Sequence, residues 1–151
     1  MSGPTTTPSS PLGPPLIGAL LRMPVDVLRG RMLEALHRDG FDDIVSAHFA
    51  ILNYPGPNGR RPSDIAAQAG MSKQALHYLL SQLEELGYVE RVDDPNDQRS
   101  KRVHLTERGH EAAQTVRAAV AEVEDEWAAG IGRAQFDQLR ELLKKLNAAI
   151  G

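Results

Sequence analysis

The chain has 151 residues, which is the size of a single domain and long enough to bury a core. It contains no cysteine, which excludes disulfides, thiolate zinc sites and thiol-based redox sensing. The formal net charge of −3 argues mildly against nucleic-acid binding, although the distribution of charge matters more than its sum. Aromatic residues make up 5% of the chain, while alanine and leucine are plentiful, so helices are favoured over sheets.

Residues 1–15 are rich in proline, serine, threonine and glycine, a composition that predicts a flexible N-terminal tail. This segment has no basic residue and no long apolar run, so it does not read as a secretory signal. No stretch of the chain approaches the roughly 20 apolar residues that a membrane span requires. We therefore expect a soluble, cytoplasmic protein without a membrane partner.

Residues 16–54 are predicted to form N-terminal helices. A helical pattern covers residues 16–38, and Pro24 should kink this helix or split it in two, because a mid-helix proline removes a hydrogen bond and clashes with the preceding turn. Asp42 or Asp43 is expected to cap a second helix that continues to the end of this region. The apolar side chains that this helix should bury are Ile44, Val45, Phe49 and Leu52.

The stretch 62–86, PSDIAAQAGMSKQALHYLLSQLEEL, has the spacing of a helix-turn-helix. Ala66 is small where two helices would cross, and Gly70 follows four residues later at the turn. Ser63 is expected to cap the first helix and Ser72 the second. The second helix of such a unit lies in the major groove of DNA and reads base edges. Sequence-specific binding of double-stranded DNA is therefore the first functional hypothesis.

A β-hairpin is predicted directly after this unit. Two short β-prone runs, residues 88–92 and 102–105, flank the sequence DDPNDQRSK. Its Asp-Pro-Asn-Asp turn followed by a basic tip is typical of a hairpin. A helix-turn-helix followed by a hairpin makes a winged helix, which we assign to residues 60–106.

Residues 107–151 are predicted to form two C-terminal helices. Thr106 should cap the first, which carries one apolar stripe and runs to about residue 129, where glycines break it. The second, residues 134–150, shows an apolar stripe near a seven-residue rhythm, as helix–helix seams do. We expect these helices and the N-terminal ones to form the interface of a homodimer. Each chain is expected to fold as one integrated domain. Packing of the stripes inside a single chain is the alternative.

The second helix of the helix-turn-helix has one polar face, and we expect that face to contact DNA. Gln74 can bond bidentately to adenine, and Ser72 and Lys73 at the helix start suit a phosphate. At the hairpin tip, Arg99 is expected to enter the minor groove, held extended by a pair with Asp97. The predicted DNA-binding residues are Ser72, Lys73, Gln74, His77, Tyr78, Ser81, Gln82, Asp97, Arg99, Ser100, Lys101 and Arg102. The alternatives are a merely solvated helix face and an ordinary surface turn.

The segment GYVERVDDPNDQRSKRVHLTERG, residues 87–109, resembles the strand-wing-strand region of MarR-type regulators, with its Asp-Pro-x-Asp-x-Arg run and Leu-Thr-x-x-Gly exit. The preceding DIAAQAGMSKQALHYLLSQLEELGYVE is similar too. The resemblance implies a homodimeric winged-helix repressor that binds a pseudo-palindromic operator. The resemblance also implies a cleft between the winged helix and the terminal helices that form the dimer. This cleft would bind a small, often phenolic, ligand.

This chain departs from the family pattern at two places. Family members commonly carry a small residue and an arginine where this chain has His77 and Tyr78, so its base preference should differ. Pro24 inside the first helix is also unusual, which affects the expected ligand cleft and dimer geometry. The candidate residues for a small-molecule effector cleft are Arg31, His48 and Trp127, with interface packing as the alternative.

Metal binding and catalysis have little support in the sequence. A metal cluster would have to combine Glu107, His110 and Glu111 with His37 or His48, and this set lacks strong ligand spacing. No Gly-x-Ser-x-Gly elbow, phosphate loop or dinucleotide fingerprint occurs. We therefore expect no metal, no cofactor and no enzymatic activity. The alternatives to a DNA-binding regulator are a winged-helix module that binds protein and a metal-responsive regulator on the same scaffold.

Overall fold

Helices and one antiparallel hairpin make up the computed structural model, which describes residues 13–52 and 58–151. The helices are α1 (Ile17–Arg38), α2 (Phe49–Leu52), α3 (Pro62–Ala69), α4 (Lys73–Glu85), α5 (Glu107–Ile131) and α6 (Arg133–Ile150), with a 3₁₀ turn at Ser46–His48. The strands are β1 (Val89–Asp94) and β2 (Asp97–Leu105). This architecture confirms the predicted fold class, which is mainly α with a small β-hairpin wing.

Helix α1 continues through Pro24, so the predicted split of this helix is wrong. The N–H that proline lacks would have bonded the carbonyl of Leu20, one turn earlier. That turn faces solvent, since 56% of Leu20 is exposed, and water can satisfy the carbonyl. The helix therefore loses one hydrogen bond at this position without ending there.

The chain before the second helix differs from the prediction. Neither Asp42 nor Asp43 caps a helix; a 3₁₀ turn follows Val45 instead, whose backbone N–H donates to Nδ1 of His48 over 3.1 Å. Asp43 accepts a hydrogen bond from the hydroxyl of Tyr88, which lies 45 residues further along the chain. A contact between residues so far apart leaves no local signal in the sequence.

Three of the four apolar side chains predicted for this region lie in the core. Ile44, Phe49 and Leu52 are buried, whereas Val45 is 52% exposed because it precedes the 3₁₀ turn. The predicted continuation of the second helix to residue 54 falls outside the described residues.

The hydrophobic core lies beneath the two helices of the helix-turn-helix. The side of α4 that faces the core carries four buried leucines: Leu76, Leu79, Leu80 and Leu83. They pack with Ile65 and Ala66 of α3 and with Tyr88 and Val103 of the hairpin region. The helical period places these leucines on one face of α4, so the polar face predicted to contact DNA is left outside the core.

Only one of the two predicted helix caps in this unit is present. Oγ of Ser72 accepts a hydrogen bond from the backbone N–H of Ala75 over 3.1 Å, as predicted for α4. Ser63 does not cap α3, which begins after Arg61 with Pro62 at its first position. Proline is well suited to that position because its fixed φ is helical and its missing N–H has no partner there anyway. The helix therefore starts before Ser63, which lies inside the first turn.

Replacing Ser72 by alanine is expected to lower the free energy of unfolding by about 1 kcal/mol, because it removes the acceptor for an N–H at the start of α4. Ser63→Ala is the matched control, since that hydroxyl caps nothing, and it should change stability by less than about 0.5 kcal/mol. Urea denaturation measures both values. Equal losses in the two variants would contradict the assignment of the cap.

The hairpin is longer than the sequence predicts. Val89 pairs with Leu105 at its base, and a bulge between Asp93 and Asp94 precedes a turn of only two residues, Pro95 and Asn96. Most of the segment predicted as a loop is therefore strand. Acidic and asparagine-rich segments have low β-propensity, and here the pairing across the hairpin overrides it.

The wing is attached to the chain just before α3. Arg60 forms a two-bond bridge with Val103 of β2, with N–O distances of 3.2 and 2.7 Å. At the base of the turn the buried carboxylate of Asp94 accepts hydrogen bonds from Arg61 and Arg102, at 3.2 and 3.1 Å, and from the backbone N–H of Asn96 at 2.9 Å. The bond from Asn96, assisted by the two arginines, lowers the pKa of Asp94 against the opposing effect of burial.

The C-terminal helices begin and end close to the predicted positions. Oγ1 of Thr106 accepts a hydrogen bond from the N–H of Gly109 over 3.1 Å, which confirms the predicted cap of α5. Gly130 does not break α5, which continues to Ile131 and ends at Gly132 with φ of +98°. Of the apolar stripe on α6, Phe136 is buried, and most of the other side chains face solvent in the single chain. Among residues 13–52 and 58–151, no helix is both long and apolar enough to cross a membrane.

Candidate nucleic-acid interface

The polar face of α4 is the central feature of the predicted DNA interface. Gln74 is exposed, and 66% of Tyr78 is exposed, on the side of α4 opposite the buried leucines. The other predicted positions with exposed side chains on this helix and its cap are Ser72, Lys73, His77 and Ser81. These side chains are therefore accessible for contact with a ligand that lies along the helix.

Gln82 occupies a different position from the other predicted contacts. It is half-buried, and both ends of its side-chain amide are engaged. Its Nε2 donates to the hydroxyl of Tyr78 over 3.1 Å, and its Oε1 lies 3.1 Å from Nε2 of His48. Gln82 thus holds the hydroxyl of Tyr78 by a hydrogen bond. A direct contact of Gln82 with DNA stays a prediction.

Arg91 is a residue of this surface to which the sequence analysis assigned no role. Its Nε donates to Oε1 of Glu84 over 2.5 Å, and its two Nη atoms lie 3.4 Å from Nδ1 of His77 and Oγ of Ser81. Arg91 therefore links strand β1 to the exposed face of α4. The opposite charges of Glu84 and Arg91, placed on either side of the turn between helix and strand, are the signal that could have identified this link.

A groove of about 270 Å³ lies between the start of α3, helix α4 and the wing. Its wall carries the cationic side chains of Lys73, Arg91 and Lys101, although Lys101 also pairs with Asp93 at 2.7 Å. The remaining lining residues are Pro62, Ser63, Leu76 and His77. Arg91 is paired with Glu84 as well, so Lys73 is the cation of this groove that makes no ion pair with the described part of the chain.

Asp97 holds the wing tip in a way that differs from the predicted pair with the Arg99 side chain. Its Oδ1 accepts the backbone N–H of Arg99, and its Oδ2 accepts the hydroxyl of Ser100, both over 3.0 Å. The carboxylate therefore shapes the backbone, while the exposed guanidinium of Arg99 makes no ion pair with the described part of the chain. Arg99 and Ser100 lie within β2, in the irregular stretch between Asp97, which pairs with Asp94, and Lys101, which pairs with Asp93.

Arg102 lies at the base of the wing, away from the tip. Its Nε donates to Asp94, and its Nη1 donates to the carbonyl of Gly59 over 3.1 Å. This location follows from the longer strands, which pair Arg102 with Val92 well below the turn. The guanidinium is engaged in holding the wing, so the predicted contact of Arg102 with DNA stays without support from this geometry.

The three candidate effector residues occupy separate environments. Arg31 on α1 makes two hydrogen bonds of 2.8 Å to Glu126 on α5, while His48 is buried against Gln82. Trp127 is half-buried on α5. Each has a structural contact or setting of its own, and their role as effector contacts stays a prediction.

A cavity of about 470 Å³ lies between α1 and the helix-turn-helix, and none of those three residues lines it. Its wall is mostly apolar, with Arg29 as the cationic member. The lining residues are Val25, Leu28, Arg29, Met32, Ser46, Ala47, Phe49, Ala50, Ala69 and Met71. Because these residues come from both lobes, a molecule held here would touch the N-terminal helices and the turn before α4 together. In the described ranges, no group of three histidine or acidic residues is arranged to hold a metal ion.

A polar helix lies exposed above a leucine core, beside a groove and a hairpin that is anchored to the residues just before α3. This arrangement is a winged helix-turn-helix fold. Residues 42–100 match the sequence model of the MarR family. Over this segment, and in the relatives and solved structures described next, the chain is similar to MarR-type transcriptional regulators. These similar proteins are named as transcriptional regulators, which agrees with the expectation of a DNA-binding protein without enzymatic activity.

Known relatives extend the similarity beyond the matched segment. The transcriptional repressor MprA of Escherichia coli (strain K12) is 25% identical over 118 residues, which are 78% of this chain. The matched part spans only 65% of the length of that relative.

Two solved structures share the fold over most of both chains. The repressor CouR of Rhodococcus jostii RHA1, bound to a 23-mer DNA duplex, is 25% identical with a TM-score of 0.66, over 87% of this chain and 92% of CouR. The MarR family protein Rv2887 of Mycobacterium tuberculosis, in complex with salicylic acid, is 27% identical with a TM-score of 0.64, over 88% of this chain and 97% of Rv2887.

Proposed function

We propose that this protein is a homodimeric repressor that binds a pseudo-palindromic operator in double-stranded DNA. Each subunit lays α4 in the major groove and its wing on the neighbouring minor groove. The observation that carries the proposal is the exposed face of α4 with Gln74 and Tyr78, next to the groove with Lys73 and Arg91. The repressor MprA and the DNA-bound structure of CouR support it by similarity.

The homodimer is supported by apolar surface that a single chain leaves uncovered. On the first half of α1 and the residue before it, the exposed apolar side chains include Leu16, Ile17, Leu20 and Met23. On α6 they are Leu139, Leu142, Leu146 and Ile150. Contiguous apolar surface on helices marks interaction sites, and the seven-residue rhythm on α6 suits a helix from a second copy.

Selection of bound duplexes from a random DNA pool tests the proposal directly. We expect two inverted half-sites whose centres lie about 34–36 Å apart, which is one helical turn of DNA. This spacing is required because the α4 helices of both subunits must lie on one side of the duplex. The Gln74→Ala variant should lose base preference at one position in each half-site. Failure to enrich any sequence would reject the operator-binding function, and a single half-site would reject the dimeric mode of binding.

We further propose that a small organic acid releases the operator by binding in the 470 Å³ cavity. Support comes from Arg29 at its wall and from the salicylic acid complex of Rv2887. Such an effector binds more tightly to a dimer whose two α4 helices are not spaced to match the two half-sites of the operator. Its differential affinity for that state shifts the dimer away from DNA. The test is displacement of labelled operator by salicylate, and no displacement together with no thermal stabilisation would reject this part.

Replacing Arg99 by alanine is expected to weaken operator binding and to reduce the slope of log affinity against log salt by about one, because one phosphate-neutralising cation is lost. Arg133→Ala is the control, since it removes the same charge from the junction of α5 and α6, where Arg133 pairs with Asp125. Fluorescence anisotropy at several salt concentrations gives both slopes. An unchanged slope in the Arg99 variant would contradict its proposed contact with DNA.

A further inference from the structure

A buried histidine outside the helix-turn-helix is connected to an exposed tyrosine within it. His48, only 3% exposed, accepts the backbone N–H of Val45 at its Nδ1 over 3.1 Å. Its Nε2 lies 3.1 Å from Oε1 of Gln82, whose Nε2 lies 3.1 Å from the hydroxyl oxygen of Tyr78. Three consecutive hydrogen bonds thus lead from the main chain before α2 to the face of α4.

The first bond fixes the direction of the other two. A backbone N–H only donates, so Nδ1 of His48 is an unprotonated acceptor, and the proton of the neutral ring lies on Nε2. Nε2–H must then donate to the Gln82 oxygen, which turns the NH₂ of the amide towards Tyr78. A flipped amide would place its NH₂ against the ring N–H, so the opposite direction is excluded.

The consequence concerns the single proton of the Tyr78 hydroxyl. The phenol oxygen accepts from Gln82, so its own O–H is directed away from Gln82 to the exposed side of α4. A tyrosine without this support could rotate its hydroxyl and either donate or accept. Held by Gln82, it presents a donor.

We propose that His48 and Gln82 act as positioning residues that make Tyr78 a hydrogen-bond donor to one base in each half-site. In the major groove, guanine offers N7 and O6, adenine offers N7 and thymine offers O4 as acceptors, whereas cytosine offers only a donor, its N4–H₂. Tyr78 therefore selects against cytosine at its position. The inference rests on the proposed operator binding and adds the base that the reader rejects.

Four operators that differ only at the Tyr78 position test the proposal by competition binding. The unsubstituted protein should bind the cytosine operator about fivefold more weakly than the best of the others, as one hydrogen bond implies. Tyr78→Phe should lose this discrimination because it has no hydroxyl. Gln82→Leu should lose it as well, although the hydroxyl remains, and the double variant should lose no more than either single one.

His48→Asn gives a second way to break the chain of hydrogen bonds. Asparagine keeps an oxygen acceptor for the N–H of Val45 but is too short to reach Gln82. The His48→Asn variant should therefore lose the discrimination against the cytosine operator. Gln114→Leu, the same exchange at an exposed position of α5, should keep it. The salt dependence of binding should be unchanged in all these variants, because no phosphate contact is altered.

The outcomes separate this inference from the proposed function. If Tyr78→Phe loses the discrimination while Gln82→Leu and His48→Asn, folded by circular dichroism, retain it, the positioning role is overturned. Retained discrimination in Tyr78→Phe also overturns it. If the unsubstituted protein binds none of the operators, the proposed function fails, and the inference falls with it.

Discussion

Replacing Leu142 and Leu146 of α6 by aspartate is expected to convert the protein into a monomer. Operator binding should weaken by at least about 100-fold, because two linked DNA-binding subunits gain roughly 10²–10⁴ in avidity. The two side chains are 54% and 42% exposed in the single chain, so aspartate costs the isolated subunit little. In the proposed dimer the same positions face a second copy. Buried charges there lack partners, and each costs several kcal/mol.

Lys145→Asp is the matched control for this pair of substitutions. Lys145 is exposed on the polar side of α6, and its replacement lowers the formal charge of the subunit by two, as the double leucine variant does. Sedimentation equilibrium should show a dimer for the control and a monomer for the double variant. A dimer that persists in both would assign the subunit contact to other helices.

Replacing Gly109 by alanine is expected to destabilise the fold by about 3 kcal/mol or more, since overpacking against rigid groups is among the costly substitutions. A Cβ at this position would lie 2.1 Å from the carbonyl oxygen of Tyr88 and 3.2 Å from Cβ of Leu105. That carbonyl cannot easily turn away, because it accepts the N–H of Thr106 over 3.0 Å. The close approach between the start of α5 and the base of the wing requires glycine.

Gly130→Ala in the same helix serves as the control. No atom lies within 4 Å of a Cβ placed there, and the backbone is helical. Alanine should therefore raise the free energy of unfolding by up to about 1 kcal/mol through its better helix propensity. Thermal unfolding followed by circular dichroism distinguishes the two. Similar stability of both variants would contradict the steric account of the Leu-Thr-x-x-Gly exit.

Features that depend on a few neighbouring residues are those that the sequence predicts well. The caps at Ser72 and Thr106 each involve a backbone N–H three residues away, and the leucine face of α4 follows from the helical period. The exposed positions of Gln74 and Tyr78 follow from the same period. Local geometry therefore suffices for the reader helix.

Features that depend on distant partners were missed. Asp43 was predicted as a helix cap, yet it binds Tyr88 and Arg108, 45 and 65 residues away in the chain. His48 forms a hydrogen bond with Gln82, 34 residues away, and the sequence pattern does not predict this contact. Such contacts are decided by the packing of whole elements, which hydrophobic periodicity and local propensity do not specify.

The length of the wing illustrates a third kind of difference. Local propensity places turn residues from Asp93 onwards, but hydrogen bonding to β1 extends β2 back to Asp97. The extension places Arg102 at the base of the wing, where Asp94 pairs with both Arg61 and Arg102. Assignment of tip residues from sequence therefore depends on strand length, the least reliable quantity in a hairpin.

The attachment of the wing has a consequence for the proposed release of DNA by an effector. Arg60 and Arg61 tie the hairpin to the residues that lead directly into α3, one through the main chain and the other through a buried carboxylate. In the described part of the chain these contacts hold the hairpin against the start of α3, so we expect the hairpin and the helix-turn-helix to move together. In the proposed dimer, an effector would then act by changing the distance between the two winged helices and not by bending the hairpin alone.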